Sequence, residues 1–76
     1  MASTYFLEIK RIVIQENLNQ FGFTVGNIRK RIDLNNFKIS TLKTFIPKHA
    51  RINTIYFERI GVKGSGLYRI RYDFIQ

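Results

Sequence analysis

This chain contains no cysteine, so neither disulfide bonds nor a thiolate metal site can stabilise its fold. At 76 residues it can build one hydrophobic core, which is small relative to its surface. Hydrophobic residues make up 45% of the chain, which is enough apolar material to fold, unlike a disordered basic tail. We therefore expect a single domain over residues 1–76 that is held together by side-chain packing.

The chain is strongly basic. Thirteen Lys and Arg residues against five Asp and Glu residues give a formal net charge of +8, and the isoelectric point is about 10.3. Residues 1–38 contribute +3 and residues 39–76 contribute +5, so the charge is not confined to a tail. An isoelectric point above about 9 is typical of nucleic-acid-binding domains. The sequence therefore predicts a polyanionic partner.

The N-terminal segment lacks the features of a secretory signal. Residues 1–4 contain no basic residue, and the apolar run that begins at Tyr5 is interrupted by Glu8, Lys10 and Arg11. The sequence also has no run long enough to predict a membrane span. We expect an intracellular, cytoplasmic protein without a membrane partner.

The first segment, Ser3 to Leu18, is predicted to be a helix with Ser3 as its N-cap. One face of this helix is mostly apolar and carries Tyr5, Ile9, Ile12, Val13 and Glu16. A second stripe of Leu7, Ile14 and Leu18 lies opposite. The alternation of apolar residues also fits a β-strand, but we favour the helix. One small core can cover only one of the two stripes, so the second stripe is a candidate homodimer contact.

Two further helices are predicted in the middle of the chain. The first spans Thr24 to Asp33, with Thr24 as its N-cap and Val25, Ile28 and Ile32 on one face. The second begins at Ser40 and has an apolar face formed by Ile39, Leu42, Phe45, Ile46 and His49. Pro47 is expected to end or kink this second helix. A β-strand over residues 38–46 remains an alternative, although neither of its faces is cleanly apolar.

The C-terminal segment predicts a β-hairpin. The first strand runs from Ile55 towards Val62, and Lys63-Gly64-Ser65-Gly66 is a strong turn signal. Residues 67–74 then alternate, with one face formed by Tyr68, Ile70, Tyr72 and Phe74 and a basic outer face formed by Arg69, Arg71 and Asp73. The predicted fold is α+β, with three helices followed by an antiparallel hairpin. The alternative is a β-α-β-β-β arrangement with a meander sheet.

The order of these elements resembles the winged helix-turn-helix superfamily. The resemblance is carried by the helices at Thr24 to Asp33 and Ser40 to His49, followed by a wing at Ile55 to Phe74. Two features depart from the pattern: the connection of residues 34–39 is longer than the usual three or four residues, and Pro47 is expected to leave the second helix short.

The resemblance implies that the second helix enters the major groove of DNA and that the wing lies along the adjacent backbone or minor groove. The residues in and directly after this helix that are implied to reach bases and phosphates are Ser40, Thr41, Lys43, Thr44, Lys48 and Arg51. The wing residues implied to contact phosphates are Arg59, Lys63, Gly64, Ser65, Arg69 and Arg71. The Arg and Lys residues of the hairpin have a simpler interpretation as a solvated sheet face and Gly64 as hairpin geometry, and His49 fits a packed structural histidine.

The sequence shows no catalytic or metal-binding motif, so we predict neither an enzyme nor a cofactor or metal site. The predicted function is that of a small DNA-binding protein, such as a transcriptional regulator or accessory DNA-binding factor of a phage, plasmid or prokaryote. DNA is favoured over RNA as the partner. The alternatives are a protein-interaction module, for example a phage-type inhibitor of a nucleic-acid-handling protein, and an RNA-binding protein or small ribonuclease toxin that uses His49.

Overall fold

The computed structural model describes residues 3–51 and 55–75 and has an α+β fold, as predicted. In chain order the elements are α1 (Thr4–Gln15), α2 (Val25–Arg29), α3 (Ile39–Arg51), β1 (Phe57–Ile60), β2 (Leu67–Ile70) and α4 (Tyr72–Ile75). The alternative meander needed a strand over residues 38–46 and is wrong, because residues 39–46 lie in α3.

The helix α1 begins where the sequence predicts. The hydroxyl of Ser3 accepts a hydrogen bond from the Tyr5 main-chain N–H at 3.1 Å, which satisfies one of the free donors at the helix start. The helix buries Phe6, Ile9, Ile12 and Val13 in the core. The end of the helix was predicted too late, because α1 ends at Gln15 and Leu18 packs against the core from the loop that follows.

The short helix α2 is fixed by a reciprocal cap. Thr24 Oγ1 accepts from the Asn27 main-chain N–H at 3.2 Å, and Asn27 Oδ1 accepts from the Thr24 N–H at 2.8 Å. The helix ends at Arg29 rather than near Asp33, and a turn then carries Ile32 into the core. The Asp33 carboxylate accepts from the Asn35 N–H at 2.9 Å and so organises the connection to α3.

The helix α3 runs through Pro47 to Arg51, so the prediction that proline leaves it short was wrong. Proline inside a helix removes one hydrogen bond and costs about 3 kcal/mol. The helix buries Ile46 before the proline and Ala50 after it. Burying a side chain of the size of Ile contributes about 1.5–3 kcal/mol, so packing on both sides of Pro47 offsets its cost.

The strands β1 and β2 pair antiparallel, with Phe57 opposite Ile70 and Arg59 opposite Tyr68. On the other edge of β2, Phe23 forms two main-chain hydrogen bonds with Tyr68, at 2.7 and 2.8 Å. The strand β2 therefore has partners on both edges, and α3 packs against β1.

The prediction that the second strand reaches Phe74 was wrong, because β2 ends at Ile70 and residues 72–75 form α4. The ring of Phe74 lies 5.4 Å from that of Tyr56 and 6.1 Å from that of Phe6, measured between centroids. The helical turn brings Phe74 to these aromatic rings and leaves Tyr72 74% exposed, whereas a strand would place both residues on one face.

Candidate nucleic-acid interface

The exposed face of α3 carries most of the predicted helical site. Because Leu42, Ile46 and Ala50 take one face into the core, the opposite face turns to solvent. The exposed residues on it are Ser40, Lys43, Thr44, Lys48 and Arg51, while Thr41 is half-buried. The Thr44 hydroxyl donates to the Ser40 carbonyl at 3.2 Å, so its proton is used within the helix. The helix contains no carboxylate.

The start of α3 is attached to α1 by Tyr5. The Tyr5 hydroxyl oxygen accepts a hydrogen bond from the Lys38 main-chain N–H at 2.9 Å, directly before the first residue of α3. The Tyr5 ring meets Phe37 edge-on, with centroids 4.9 Å apart and an interplanar angle of 89°. Tyr5 therefore positions the helix, a role that its place on an apolar face did not indicate.

His49 lies in an aromatic stack, as expected for a structural histidine. Its ring centroid is 4.2 Å from that of Phe45 and 5.3 Å from that of Tyr56. Its Nδ1 is 2.9 Å from the Phe45 carbonyl oxygen, a contact that requires the proton on Nδ1. The Tyr56 ring in turn stacks on Phe6, with centroids 4.1 Å apart. His49 thus links the last turn of α3 to the core.

The basic residues of the hairpin lie on two opposite faces. Arg59 shares a sheet face with the buried Phe57, whose ring contacts Phe45 of α3, and its guanidinium lies 6.0 Å from the Tyr68 ring centroid. Arg69 lies on the other face, where its Nε donates to Glu58 Oε2 at 2.6 Å. Arg71 follows β2 and is half-buried. The predicted wing residues therefore do not form one continuous basic face.

The hairpin loop over residues 61–66 is held by its own hydrogen bonds. The Ser65 N–H donates to the Val62 carbonyl at 3.1 Å, and the Ser65 hydroxyl donates to the Ile60 carbonyl at 3.3 Å. Gly64 takes a φ of +87°, which a turn with Lys63 at its tip requires. Lys63 is exposed, and the loop borders an open concavity of about 350 Å³. The hydroxyl of Ser65, a predicted contact, thus shapes the loop.

Ion pairs in the described part of the chain lie away from α3. They join Glu8 to Arg11 at 2.8 Å, Glu16 to Arg31 at 3.3 Å, and Glu58 to Arg69 at 2.6 Å. The hydrogen bond from Arg11 lowers the pKa of the Glu8 carboxyl below its ordinary value. Over residues 3–51 and 55–75, no ion pair is formed by Lys43, Lys48, Arg51 or Lys63.

The positive charge is concentrated in residues 34–72. This stretch holds eight of the thirteen basic residues and one carboxylate, Glu58. The two halves of the chain differ less in charge, at +3 and +5, because Lys38 falls in the first half and Asp73 in the second. The spacing of the acidic residues is the sequence signal for this asymmetry. No Asp or Glu lies between Asp33 and Glu58, or between Glu58 and Asp73.

The stripe predicted as a dimer contact is reduced to two residues. Leu7 is 54% exposed and Ile14 is 55% exposed on the outer side of α1. Leu18 lies beyond the end of α1 and packs against the core.

Two absences apply to the residues that the structure describes. None of the helices there is both long and apolar enough to cross a bilayer. The same residues contain no group of three or more His, Cys, Asp or Glu side chains that could hold a metal ion. In comparisons with protein families, curated proteins and solved structures, nothing matches this chain.

Proposed function

We propose that this protein binds duplex DNA through the exposed face of α3 and the hairpin loop, in the manner of a winged helix-turn-helix domain. The observation that carries the proposal is that the arginines bound to carboxylates lie on other surfaces than the basic residues of α3 and the hairpin loop that have no carboxylate partner. The three arginines with carboxylate partners are on other surfaces, whereas Lys43, Lys48, Arg51 and Lys63 have none among the described residues. Cations without protein partners remain available to neutralise phosphates.

The arrangement around α3 supports this use of the helix. The helix packs against α2 and β1, and Tyr5 holds its start, so its exposed face is presented by a rigid support. Lys43, Lys48 and Arg51 extend from that face as flexible cations suited to phosphates. Ser40 and Thr44 are short polar side chains on the same face that suit base edges in the major groove, Thr44 as an acceptor because its proton is bound to the Ser40 carbonyl.

The hairpin adds a second group of contacts. Lys63 stands at the tip of a loop whose shape is fixed by Ser65 and Gly64, which lowers the entropy lost on binding. Arg59 is exposed and lies on the sheet face against which α3 packs. A DNA-binding domain of this size and charge suits a transcriptional regulator or an accessory DNA-binding factor.

The test is a titration of isotope-labelled protein with a short DNA duplex, followed by amide chemical shifts. We expect the perturbed amides to cluster at Ser40 to Arg51 and around Lys63. As a matched pair, Lys48→Ala should weaken binding, whereas Arg11→Ala removes an arginine that is already paired and should have a smaller effect. Absence of binding at low salt, or perturbation centred on α1, would contradict the proposal.

A protein-interaction module is the second candidate function. It is favoured by the half-exposed Leu7 and Ile14, which lie two turns apart on one side of α1. This function predicts that Leu7→Glu and Ile14→Glu abolish partner capture, while the Lys48→Ala variant retains it.

A further inference from the structure

A cleft of about 240 Å³ lies beside the outer face of the hairpin, where Arg69 and Glu58 meet α4. Its lining residues are Asn19, Glu58, Arg69, Ile70, Tyr72 and Ile75. Pockets that enclose whole small molecules measure about 300–1,000 Å³. This cleft therefore suits a single planar group of a ligand, with the rest of the ligand in solvent.

Tyr72 gives this cleft an unused aromatic surface. The other tyrosines, Tyr5, Tyr56 and Tyr68, are each at least half-buried and lie against an aromatic ring or an arginine. Tyr72 is 74% exposed and has no ring contact within the described parts of the chain. An exposed tyrosine that lines a cleft is a stacking surface for a flat ligand.

The ion pair in the cleft retains hydrogen-bonding capacity. It consists of one hydrogen bond, from Arg69 Nε to Glu58 Oε2. Within the described residues, the two Nη groups of Arg69 and Oε1 of Glu58 have no further hydrogen-bond partner. The Asn19 amide, by contrast, already uses both its nitrogen and its oxygen to bond the Ile70 main chain. The cleft therefore offers donors and an acceptor side by side.

A nucleobase has the shape and the polar edge that match these groups. Guanine presents the acceptors O6 and N7 to an arginine and the N2 amino group to a carboxylate. The adjacent N1–H is a second donor that Glu58 can accept. Cytosine has a smaller ring and lacks a ring N–H beside its exocyclic amino group, so it satisfies the carboxylate and covers Tyr72 less well.

We infer that the cleft between Arg69, Glu58 and Tyr72 binds an unpaired guanine base. The base stacks on Tyr72, Arg69 donates to its O6 and N7 edge, and Glu58 accepts from its N1 and N2 donors. The site lies on the sheet face opposite to Arg59 and α3, so it is separate from the proposed duplex interface and does not depend on it.

The experiment adds guanosine monophosphate, cytidine monophosphate or inorganic phosphate to the isotope-labelled full chain. We expect guanosine monophosphate to shift the amides of Ile70 and Tyr72 and the Arg69 Nε–H, and cytidine monophosphate to shift them less. Inorganic phosphate should leave these signals in place. Guanosine monophosphate should bind the Lys48→Ala variant with unchanged shifts at Ile70 and Tyr72, which separates this site from the duplex interface.

Variants in the cleft test the assigned contacts. Tyr72→Ala should weaken binding by about tenfold, as expected when one stacking partner is removed, whereas Tyr72→Phe should retain it. Glu58→Gln should remove most of the preference for guanine over cytosine. Tyr72 is exposed and Glu58 is half-buried, so the variants are expected to fold, which the amide spectrum checks directly.

A further arm identifies the source of the base. A single-stranded thymidine pentanucleotide with one central dG is compared with the all-thymidine chain and with free guanosine monophosphate. Tighter binding of the dG-containing strand than of the mononucleotide assigns the site to single-stranded nucleic acid, and the reverse order assigns it to a free nucleotide. Either order supports a guanine site. The inference is overturned if guanosine monophosphate shifts no signal at Arg69, Ile70 or Tyr72, or if phosphate alone shifts them equally.

Discussion

The side-chain amide of Asn19 forms both of the Ile70 main-chain hydrogen bonds that point away from β1. Its Nδ2 donates to the Ile70 carbonyl at 3.1 Å, and its Oδ1 accepts from the Ile70 N–H at 2.7 Å. Two residues earlier in β2, the main chain of Phe23 does the same for Tyr68. Among the described residues no third strand pairs with β2 at Ile70. The Asn19 side chain thus continues the sheet edge there and protects polar main-chain groups that would otherwise be exposed.

Replacement of Asn19 should therefore destabilise the fold. Asn19→Ala removes both partners of Ile70, and an unsatisfied buried group costs about 1–3 kcal/mol. Since the site is half-buried, we expect a loss of about 2 kcal/mol in the free energy of unfolding, measured by urea denaturation. Gln20→Ala alters an exposed neighbour and should stay within about 0.5 kcal/mol of wild type. Equal effects of the two changes would rule out this role for Asn19.

Tyr5 gives a second prediction, about the start of α3. Tyr5→Phe keeps the ring contact with Phe37 but removes the oxygen that accepts from the Lys38 N–H. We expect a loss of about 1 kcal/mol in stability and faster hydrogen exchange at the Lys38 amide. Tyr72→Phe is the control, because Tyr72 is exposed and has no hydrogen bond among the described residues. Unchanged exchange at Lys38 in the Tyr5→Phe variant would show that the hydroxyl does not hold the helix.

Gly22 gives a third prediction. Its φ is +89°, and a Cβ at this position would overlap the Ile60 side chain and lie 3.2 Å from the Tyr68 carbonyl oxygen. Gly22→Ala should therefore cost about 2–3 kcal/mol, from backbone strain plus the clash. Gly64→Ala has a similar φ of +87° but open space around the added atom, so it should cost only the strain, about 1–2 kcal/mol. Thermal unfolding of both variants measures the difference, and a less stable Gly64→Ala would contradict the assigned clash.

The beginnings of α1 and α2 could be predicted from the sequence because local chemistry determines them. Ser3 and Thr24 each accept a main-chain hydrogen bond at a helix start, as their residue types indicate. The α+β class and the hairpin also follow from apolar periodicity and glycine placement. These features depend on interactions within a few residues along the chain.

The remaining features depend on contacts between distant residues, which periodicity does not reveal. Tyr72 and Phe74 alternate as a strand would, but the contact of Phe74 with Phe6 and Tyr56 favours a helical turn. The pairing of Arg69 with Glu58 depends on the register of the hairpin. The sequence therefore indicated a basic wing but not which of its arginines already has a partner.

Pro47 gives a fourth prediction, because it is the position where packing overrides local preference. Pro47→Ala restores an N–H donor to the Lys43 carbonyl inside a helix that already runs to Arg51. We expect unfolding to require about 1–3 kcal/mol more free energy, since alanine is favoured over proline by about 3 kcal/mol in a helix interior. Chemical denaturation measures this difference. A loss of stability would show instead that the packing of Ile46 and Ala50 needs the distortion that proline introduces.

The salt dependence of DNA binding gives the last prediction, and it distinguishes the proposed interface at α3 and the hairpin loop from the outer face of the hairpin. If the proposed interface neutralises about four to six phosphates, the logarithm of the affinity should fall against the logarithm of salt concentration with a slope of about −4 to −5.

Lys63→Ala removes an exposed cation at the loop tip and should make this slope shallower by about one. Arg69→Ala removes a cation on the opposite sheet face that is bound to Glu58, so it should leave the slope nearly unchanged. It can still lower the affinity slightly, because Glu58 is left without its partner and long-range attraction is reduced within a Debye length. If Arg69→Ala changed the slope as much as Lys63→Ala, the outer face of the hairpin would be part of the DNA contact, and its separation from the proposed interface would be wrong.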